Sequence, residues 1–125
     1  MSTLNTYLSF RDFDTNYAFQ DAVEHTLTGD HSDRIYFNCT NTPNITTYTF
    51  HTDIGDAGYV YLRNFHATAE VGVSFTSPAA GALTACELLL LPKQAMLFPL
   101  EPTTADLYLV ADGSSPQVEI WVREA

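Results

Sequence analysis

The densest grouping of side chains able to bind or react lies in residues 29–33, Gly-Asp-His-Ser-Asp. Asp30, His31 and Asp33 supply carboxylate oxygens and an imidazole nitrogen, which are donors that divalent cations accept in proteins. A segment of this composition is also a common solvated turn, because Asp and Ser side chains hydrogen-bond to their own backbone. No His-x-His pair, a pattern that holds metals on neighbouring strands, occurs among the four histidines. We therefore predict no bound metal and no cofactor.

The sequence also lacks a recognisable nucleophile paired with a base. Gly-x-Ser-x-Gly is absent, and Cys39 and Cys86 lie in apolar segments, where a thiol behaves as a small hydrophobe. Residues 1–10 do not have the pattern of a secretion signal, so two reduced thiols are expected, although a disulfide stays open. Carboxylate pairs for glycoside hydrolysis are spatial and also stay open, but most carboxylates fall in turn segments. We predict a protein that is not an enzyme and has no catalytic residues.

Aromatic side chains offer a different chemistry. Tyr61 and Trp121 alternate with apolar residues in predicted strands, so both are expected to point away from the core. Outward aromatics on a sheet can anchor a protein interface, stack on a sugar, or pair with one another across strands. All three uses stay open at the level of sequence.

The N-terminal residues 1–20 are predicted to form a weakly structured arm, because their aromatic residues are interleaved with polar ones. An arm of this kind must pack on its own domain or on a neighbouring subunit. A strand is favoured over a short helix for residues 21–28, since Val23 and Thr28 are β-formers and Gly29 follows. The candidate interface residues of the arm are Tyr7, Phe10, Phe13 and Tyr17.

The remainder of the chain is patterned as an all-β domain. Apolar residues make up 46% of the sequence and charged residues only 16%, and Gly and Pro separate short alternating segments throughout. No strand–helix–strand unit is present, which argues against a parallel α/β sheet. We predict a single-domain, antiparallel, jelly-roll-like β-sandwich of about nine short strands over residues 21–125.

The most apolar stretch, residues 86–100, reads CELLLLPKQAMLFPL. Four leucines precede Pro92, and a second apolar run follows Gln94. A continuous apolar run bounded by turn residues is typical of a strand that is covered on both faces. We predict a hairpin at the centre of the sandwich, with Lys93 on its turn as a candidate contact for a carboxylate of a partner.

The charge of the chain restricts its partners. Fifteen Asp and Glu residues face five Lys and Arg residues, which gives a formal net charge of −10. Such a balance argues against nucleic acid and against an anionic membrane surface as the main partner. Solubility alone accounts for acidity of this kind, and a partner with a basic face is the alternative.

From residue 58 onward, three segments resemble small β-sandwich structural proteins of tailed bacteriophages. They are residues 58–65 (GYVYLRNF) with 70–73 (EVGV), residues 88–98 (LLLLPKQAMLF), and residues 107–114 (LYLVADGS) with the final strand. In the second segment such proteins carry a Leu-x-Pro-Gly-Glu turn, and here Lys93-Gln94 replaces the Gly-Glu pair.

The resemblance implies a virion component made in the host cytoplasm and not secreted. A head decoration protein that binds the major capsid protein and stabilises the head is the first expectation. A neck or tail subunit, or a carbohydrate-binding module for host attachment, is the alternative. Such proteins bind capsid or tail proteins in symmetric copies and often form small homo-oligomers. The expected interface residues are then the arm aromatics together with Tyr61, Lys93 and Trp121.

Overall fold

The computed structural model describes residues 2–12, 17–27, 29, 31–40, 44–78, 81–111 and 113–125. Before residue 31, side chains are described only at Asn5, Tyr7 and Gly29. Over these ranges the chain is almost entirely β-structure, with one short 3-10 turn at Leu83–Ala85. No helix within the described ranges has the length and apolar character needed to cross a lipid bilayer.

The strands are Ser2–Asp12 (β1), Tyr17–Leu27 (β2), Ser32–Asn38 (β3), Ile45–Thr49 (β4), Ala57–Asn64 (β5), Val71–Ser74 (β6), Leu88–Leu90 (β7), Ala95–Pro99 (β8), Asp106–Ala111 (β9) and Gln117–Glu124 (β10). Two four-stranded antiparallel sheets contain β3 to β10. The first sheet has the order β3-β10-β5-β8, and the second has the order β4-β9-β6-β7.

The strand pairs are nested along the chain. The outermost strands β3 and β10 pair, followed inward by β4 with β9, β5 with β8, and β6 with β7. This is one long hairpin rolled into two layers, which is the connectivity of a jelly roll. The predicted fold class is confirmed, with eight sandwich strands rather than nine. The ninth predicted strand, residues 21–28, falls in β2, which pairs with β1 instead.

The core lies between the two sheets and is made of alternate residues on each strand. On β10, Val118, Ile120 and Val122 point inward, while Glu119 and Trp121 between them belong to the opposite face. Burying one such aliphatic side chain contributes about 1.5–3 kcal/mol. The fully buried aliphatic residues of β5, β6, β9 and β10 include Val60, Leu62, Val71, Val73, Leu107, Leu109, Val118, Ile120 and Val122.

The N-terminal segment is a two-stranded hairpin rather than a weakly structured arm. β1 and β2 pair antiparallel from Ser2 opposite Leu27 to Asp12 opposite Tyr17, and they form a sheet of their own. β2 runs through the predicted boundary between residues 20 and 21. The division into an arm over residues 1–20 and a domain over residues 21–125 stays a prediction.

Residues 86–100 do not form the predicted central hairpin. β7 is an edge strand of the second sheet and β8 is an edge strand of the first, so the turn between them crosses from one layer to the other. Leu89 is 39% exposed and Leu97 is 43% exposed, as expected for strands covered on one face only. The leucine run was misleading because an edge strand and a central strand share the same residue preferences.

The crossing between the layers is a four-residue turn from Leu91 to Gln94. The Gln94 amide donates to the Leu91 carbonyl at 3.1 Å, and the Leu91 amide donates to Gln94 Oε1 at 2.9 Å. Pro92 occupies the second position, and Lys93 follows with φ of 60°. A type II turn requires positive φ at its third position, where glycine is unstrained and a residue with a Cβ is not.

Replacing Lys93 by glycine is expected to raise the free energy of unfolding by about 1 kcal/mol, because the left-handed backbone no longer opposes a Cβ. Lys93→Ala is the matched control, since it removes the ammonium group but keeps the Cβ. Urea denaturation of the three proteins measures the difference. Equal stability of the glycine and alanine variants would contradict the strain.

One buried amide links the two layers at the same end of the sandwich. Asn64, at the end of β5, is 0% exposed. Its Nδ2 donates to the carbonyl of Ala69 at 2.8 Å and to the carbonyls of Leu90 and Leu91 at 3.4 and 3.3 Å. Its Oδ1 accepts from the His66 amide at 2.9 Å. Asn64 therefore joins β5 of the first sheet to the end of β7 in the second.

Asn64→Leu is expected to lower the free energy of unfolding by about 3 kcal/mol, because buried carbonyls lose their donor while the volume stays similar. Asn38→Leu is the matched control: Asn38 is exposed on β3, and its replacement should change stability by no more than about 0.5 kcal/mol. Similar urea midpoints for both variants would show that the amide does not hold the layers together.

Candidate functional site

The outer face of the first sheet carries the densest set of aromatic and charged side chains among the described residues. Strand register aligns one row across all four strands: Arg34 on β3, Trp121 on β10, Tyr61 on β5 and Leu97 on β8. Trp121 is 44% exposed and Leu97 43%. Adjacent strands lie about 4.8 Å apart, so this row is a continuous apolar strip ended by a guanidinium group.

A concave hollow of about 310 Å³ lies on this face. The rows on either side of the strip complete it, with Glu119 on one side and Tyr59 paired with Arg123 on the other. The hollow is lined by Arg34, Tyr59, Tyr61, Leu97, Glu119, Trp121 and Arg123. We call these residues the hollow below.

An ion pair forms the polar part of the hollow. Nε and Nη2 of Arg34 lie 3.1 and 3.0 Å from Oε1 of Glu119. The Glu119 side chain is only 9% exposed, whereas that of Arg34 is 56% exposed. Solvent screens the exposed guanidinium, so the pair itself is worth little, but removing Arg34 would leave a buried carboxylate without a partner.

Only one of the two Glu119 oxygens is used by the protein. Both nitrogens of Arg34 approach Oε1, and Oε2 accepts no hydrogen bond from the residues that the structure describes. Arg34 also donates from Nη2 to the hydroxyl of Tyr36 at 3.3 Å, and its guanidinium carbon lies 6.0 Å from the Trp121 ring centroid. The guanidinium is thus held between a carboxylate and two aromatic rings.

Arg123 holds the rim of the hollow. Its Nη1 donates to the carbonyl of His31 at 3.2 Å and its Nη2 to the carbonyl of Gly29 at 3.0 Å. These bonds fasten the segment that leads into β3 onto β10. The charge of Arg123 remains on the face while its donors position the backbone.

The predicted cation loop at residues 29–33 is used for such structural contacts. His31 Nδ1 lies 3.2 Å from Oε2 of Glu124, and Asp33 accepts a hydrogen bond from the hydroxyl of Tyr48. Asp30 lies outside the described residues. Over the described ranges, no three His, Cys, Asp or Glu side chains converge in a way that could hold a metal ion.

The charge of this face is opposite to that of the whole chain. Arg34, Arg63 and Arg123 lie on it, and Glu119 is the acidic residue in their rows. These are three of the five Lys and Arg residues in a chain of formal net charge −10. The face is therefore locally basic on an acidic protein.

The predicted interface residues occupy different places. Tyr61 and Trp121 are register partners in the hollow. Lys93 is exposed on the turn before β8 and does not line the hollow. Tyr7 is 74% exposed on β1. Phe10 and Tyr17 lie in the hairpin strands with side chains outside the described set, and Phe13 lies outside the described residues altogether. Their role as an interface stays a prediction.

Sequence reasoning missed Glu119, Arg34, Tyr59 and Leu97. Glu119 could have been found, because in residues 118–123 (VEIWVR) it alternates on the same face as Trp121. Arg34 could not, because it meets Glu119 only through the pairing of β3 with β10, 85 residues apart.

The two thiols are separate and unactivated. Cys39 is 1% exposed, and burial raises its pKa to about 12. Burial and the charge of Glu87 also raise the pKa of Cys86. Neither cysteine forms a disulfide, which agrees with the expected reduced state. Both groups are therefore neutral thiols near pH 7.

Cys39 is expected to resist thiol-specific reagents at about pH 8 until the chain unfolds, because its thiolate is disfavoured and its sulfur is covered. Labelling of a Cys86→Ser variant, with and without urea, isolates the Cys39 signal. Its folded pKa of about 12 lies above the ordinary 9.0, so the unfolded chain loses the proton first. The free energy of unfolding should then fall as pH rises from 9 towards 12. Rapid labelling of the native protein would contradict this.

Comparison with known proteins identifies no relative. No family model matches the chain, and neither the curated proteins nor the solved structures include a significant match. The likeness to phage structural proteins therefore rests on the segments of sequence given above. The function has to be inferred from the sheets, the hairpin and the hollow of this chain.

Proposed function

We propose that the protein is a non-enzymatic structural subunit of a tailed-bacteriophage virion. A head decoration protein, which binds the major capsid protein and stabilises the head, is the first form of the proposal. It is supported by a jelly-roll sandwich, by a hairpin that pairs with neither sheet, and by the sequence resemblance. A neck or tail subunit would use the same features at another place in the particle.

The observation that carries the proposal is the β1–β2 hairpin. The strand register puts apolar residues at positions 4, 8 and 10 of β1 on the same face as those at positions 19, 23 and 27 of β2. The opposite face carries polar residues together with Tyr7, which is 74% exposed. A two-stranded ribbon alone is marginally stable in water, so an amphipathic one gains most by lying against another surface.

A neighbouring subunit is a suitable surface for this apolar face. In a symmetric shell each copy meets the same neighbours, so one hairpin per copy gives the same contact many times over. The acidic balance of the chain disfavours contact with the packaged nucleic acid and with membranes. The proposed partners are thus further copies of this chain and the major capsid or tail proteins, within the virion.

The proposal is tested in the phage strain that carries the gene, with the gene deleted and variants supplied from a plasmid. Removing residues 2–27 should leave a sandwich that melts cooperatively but is lost from purified virions, as measured by mass spectrometry. The deletion removes only strands that pair with each other.

A matched pair of single variants separates the two faces of the hairpin. Phe10→Ser changes the apolar face and should lower incorporation at least about tenfold, since losing a buried aromatic costs several kcal/mol. Tyr7→Ser changes the polar face and should leave incorporation unchanged. Wild-type protein that stays in the soluble fraction and never enters virions would overturn the proposal, and normal incorporation of the deletion would remove the hairpin from it.

A further inference from the structure

An unused acceptor lies inside the hollow. Glu119 is more than nine-tenths buried, yet its Oε2 receives no donor from the described residues. Burying a carboxylate oxygen without a hydrogen bond is costly. The oxygen therefore requires a donor from outside the chain, which is water in the empty hollow and a ligand group when the hollow is occupied.

The neighbouring charges restrict what that donor is. Arg34 and Arg123 both line the hollow, so an ammonium or guanidinium ligand would be repelled by two cations. An anionic ligand would meet the Glu119 carboxylate at the same place. A neutral hydroxyl group suits the pair best, because it donates to Glu119 while a second hydroxyl accepts from the exposed guanidinium of Arg34. Two adjacent hydroxyls of one molecule satisfy both groups at once.

The rest of the hollow is aromatic and of matching size. Trp121 lies between the ion pair and Tyr61 in the register of the sheet, and Tyr59 is in the next row. A half-exposed indole offers a flat apolar surface beside polar groups. The volume of about 310 Å³ is at the lower end of the range for small-molecule sites, which fits one or two sugar rings.

We infer that the hollow is a binding site for a neutral pyranose, the six-membered ring of an uncharged glycan. The apolar face of the ring stacks on Trp121, and two adjacent hydroxyls bind Glu119 Oε2 and the Arg34 guanidinium. This is a ligand-binding activity in addition to the proposed structural role, and it does not depend on the hairpin. On the surface of a particle it would attach the protein to a polysaccharide.

A flat protein surface is a poorer occupant. The Glu119 oxygen lies in a recess, and a flat partner that covered the recess would leave a buried charge with one oxygen unsatisfied, which weakens association. A ring of hydroxyls enters the recess and supplies the donor. The protein interface is nevertheless the outcome to be distinguished by experiment.

The test uses the full chain and the fluorescence of Trp121, the single tryptophan. Neutral methyl pyranosides of glucose, galactose and mannose are titrated to about 50 mM, since one ring held by a few contacts binds with a dissociation constant on the order of 1 mM. At least one should change the indole emission saturably and protect it from acrylamide. The corresponding deoxy sugar lacking one of the two hydroxyls, a uronate and choline should not.

Variants assign the binding to the hollow. Glu119→Gln and Arg34→Gln should each weaken binding about tenfold or more, since a charged hydrogen bond is lost. Tyr61→Ala removes an aromatic residue of the hollow and should also weaken binding, whereas Tyr7→Ala, an equally aromatic change on the hairpin, should not. Thermal melting confirms that each variant is folded, and the exposed Arg34 variant keeps the test decisive if Glu119→Gln unfolds.

The possible results separate this inference from the proposed function. Absence of a saturable change with any neutral pyranoside, unchanged affinity in both glutamine variants, or preference for the uronate would each overturn the sugar site. If no sugar binds and Trp121→Ala abolishes entry into virions, the face is a protein interface and the structural role stands. If a pyranoside binds as expected but the protein never enters virions, the structural role fails and the sugar site stands.

Discussion

The buried amide of Asn64 fixes the relation between the two layers of the sandwich. Its Nδ2 reaches carbonyls at the end of β7 while its own backbone ends β5, so the two sheets are tied where the chain passes between them. Packing of aliphatic side chains is non-directional and would tolerate some sliding of one sheet over the other. Hydrogen bonds to named carbonyls do not tolerate it. The register of β5 with β8 and β10, and hence the composition of the hollow, depends on this anchor.

The hollow follows directly from the alternation that builds the core. On β10 the inward residues are aliphatic and fully buried, and the intervening residues Glu119, Trp121 and Arg123 form the middle of the outer face. One strand therefore serves two surfaces, and its central place between β3 and β5 gives each outer side chain neighbours on both sides. Glu119 is buried by these neighbours although it points away from the core.

The fold class could be predicted because alternation and turn residues are local signals that survive in any β-sandwich. Tyr61 and Trp121 could be placed on an outer face by the same alternation. The position of a strand within its sheet could not be predicted, since the leucines of residues 86–91 suit an edge as well as a centre. The strained φ of Lys93 was also hidden, because a turn beginning with proline does not specify which layer its far end enters.

The site itself was only half predictable. Its aromatic members are recognised by type, but Arg34 and Glu119 become partners through the closing of β3 on β10. The hairpin was underestimated for a related reason: β1 and β2 stabilise each other across their full length, and neither strand has a strong pattern when taken alone.

The nested pairing has a consequence for the order of folding. The pairs nearest the middle of the chain, such as β6 with β7, close the shortest loops and cost the least chain entropy. The first sheet joins strands from both ends of the domain, so its ladder between β3 and β10 closes the longest loop. Contacts of such separation slow folding, and we expect the outer face to be among the last parts to form. A nascent chain that lacks β10 has a buried layer in progress but no recognition surface, so binding competence coincides with the completion of the fold.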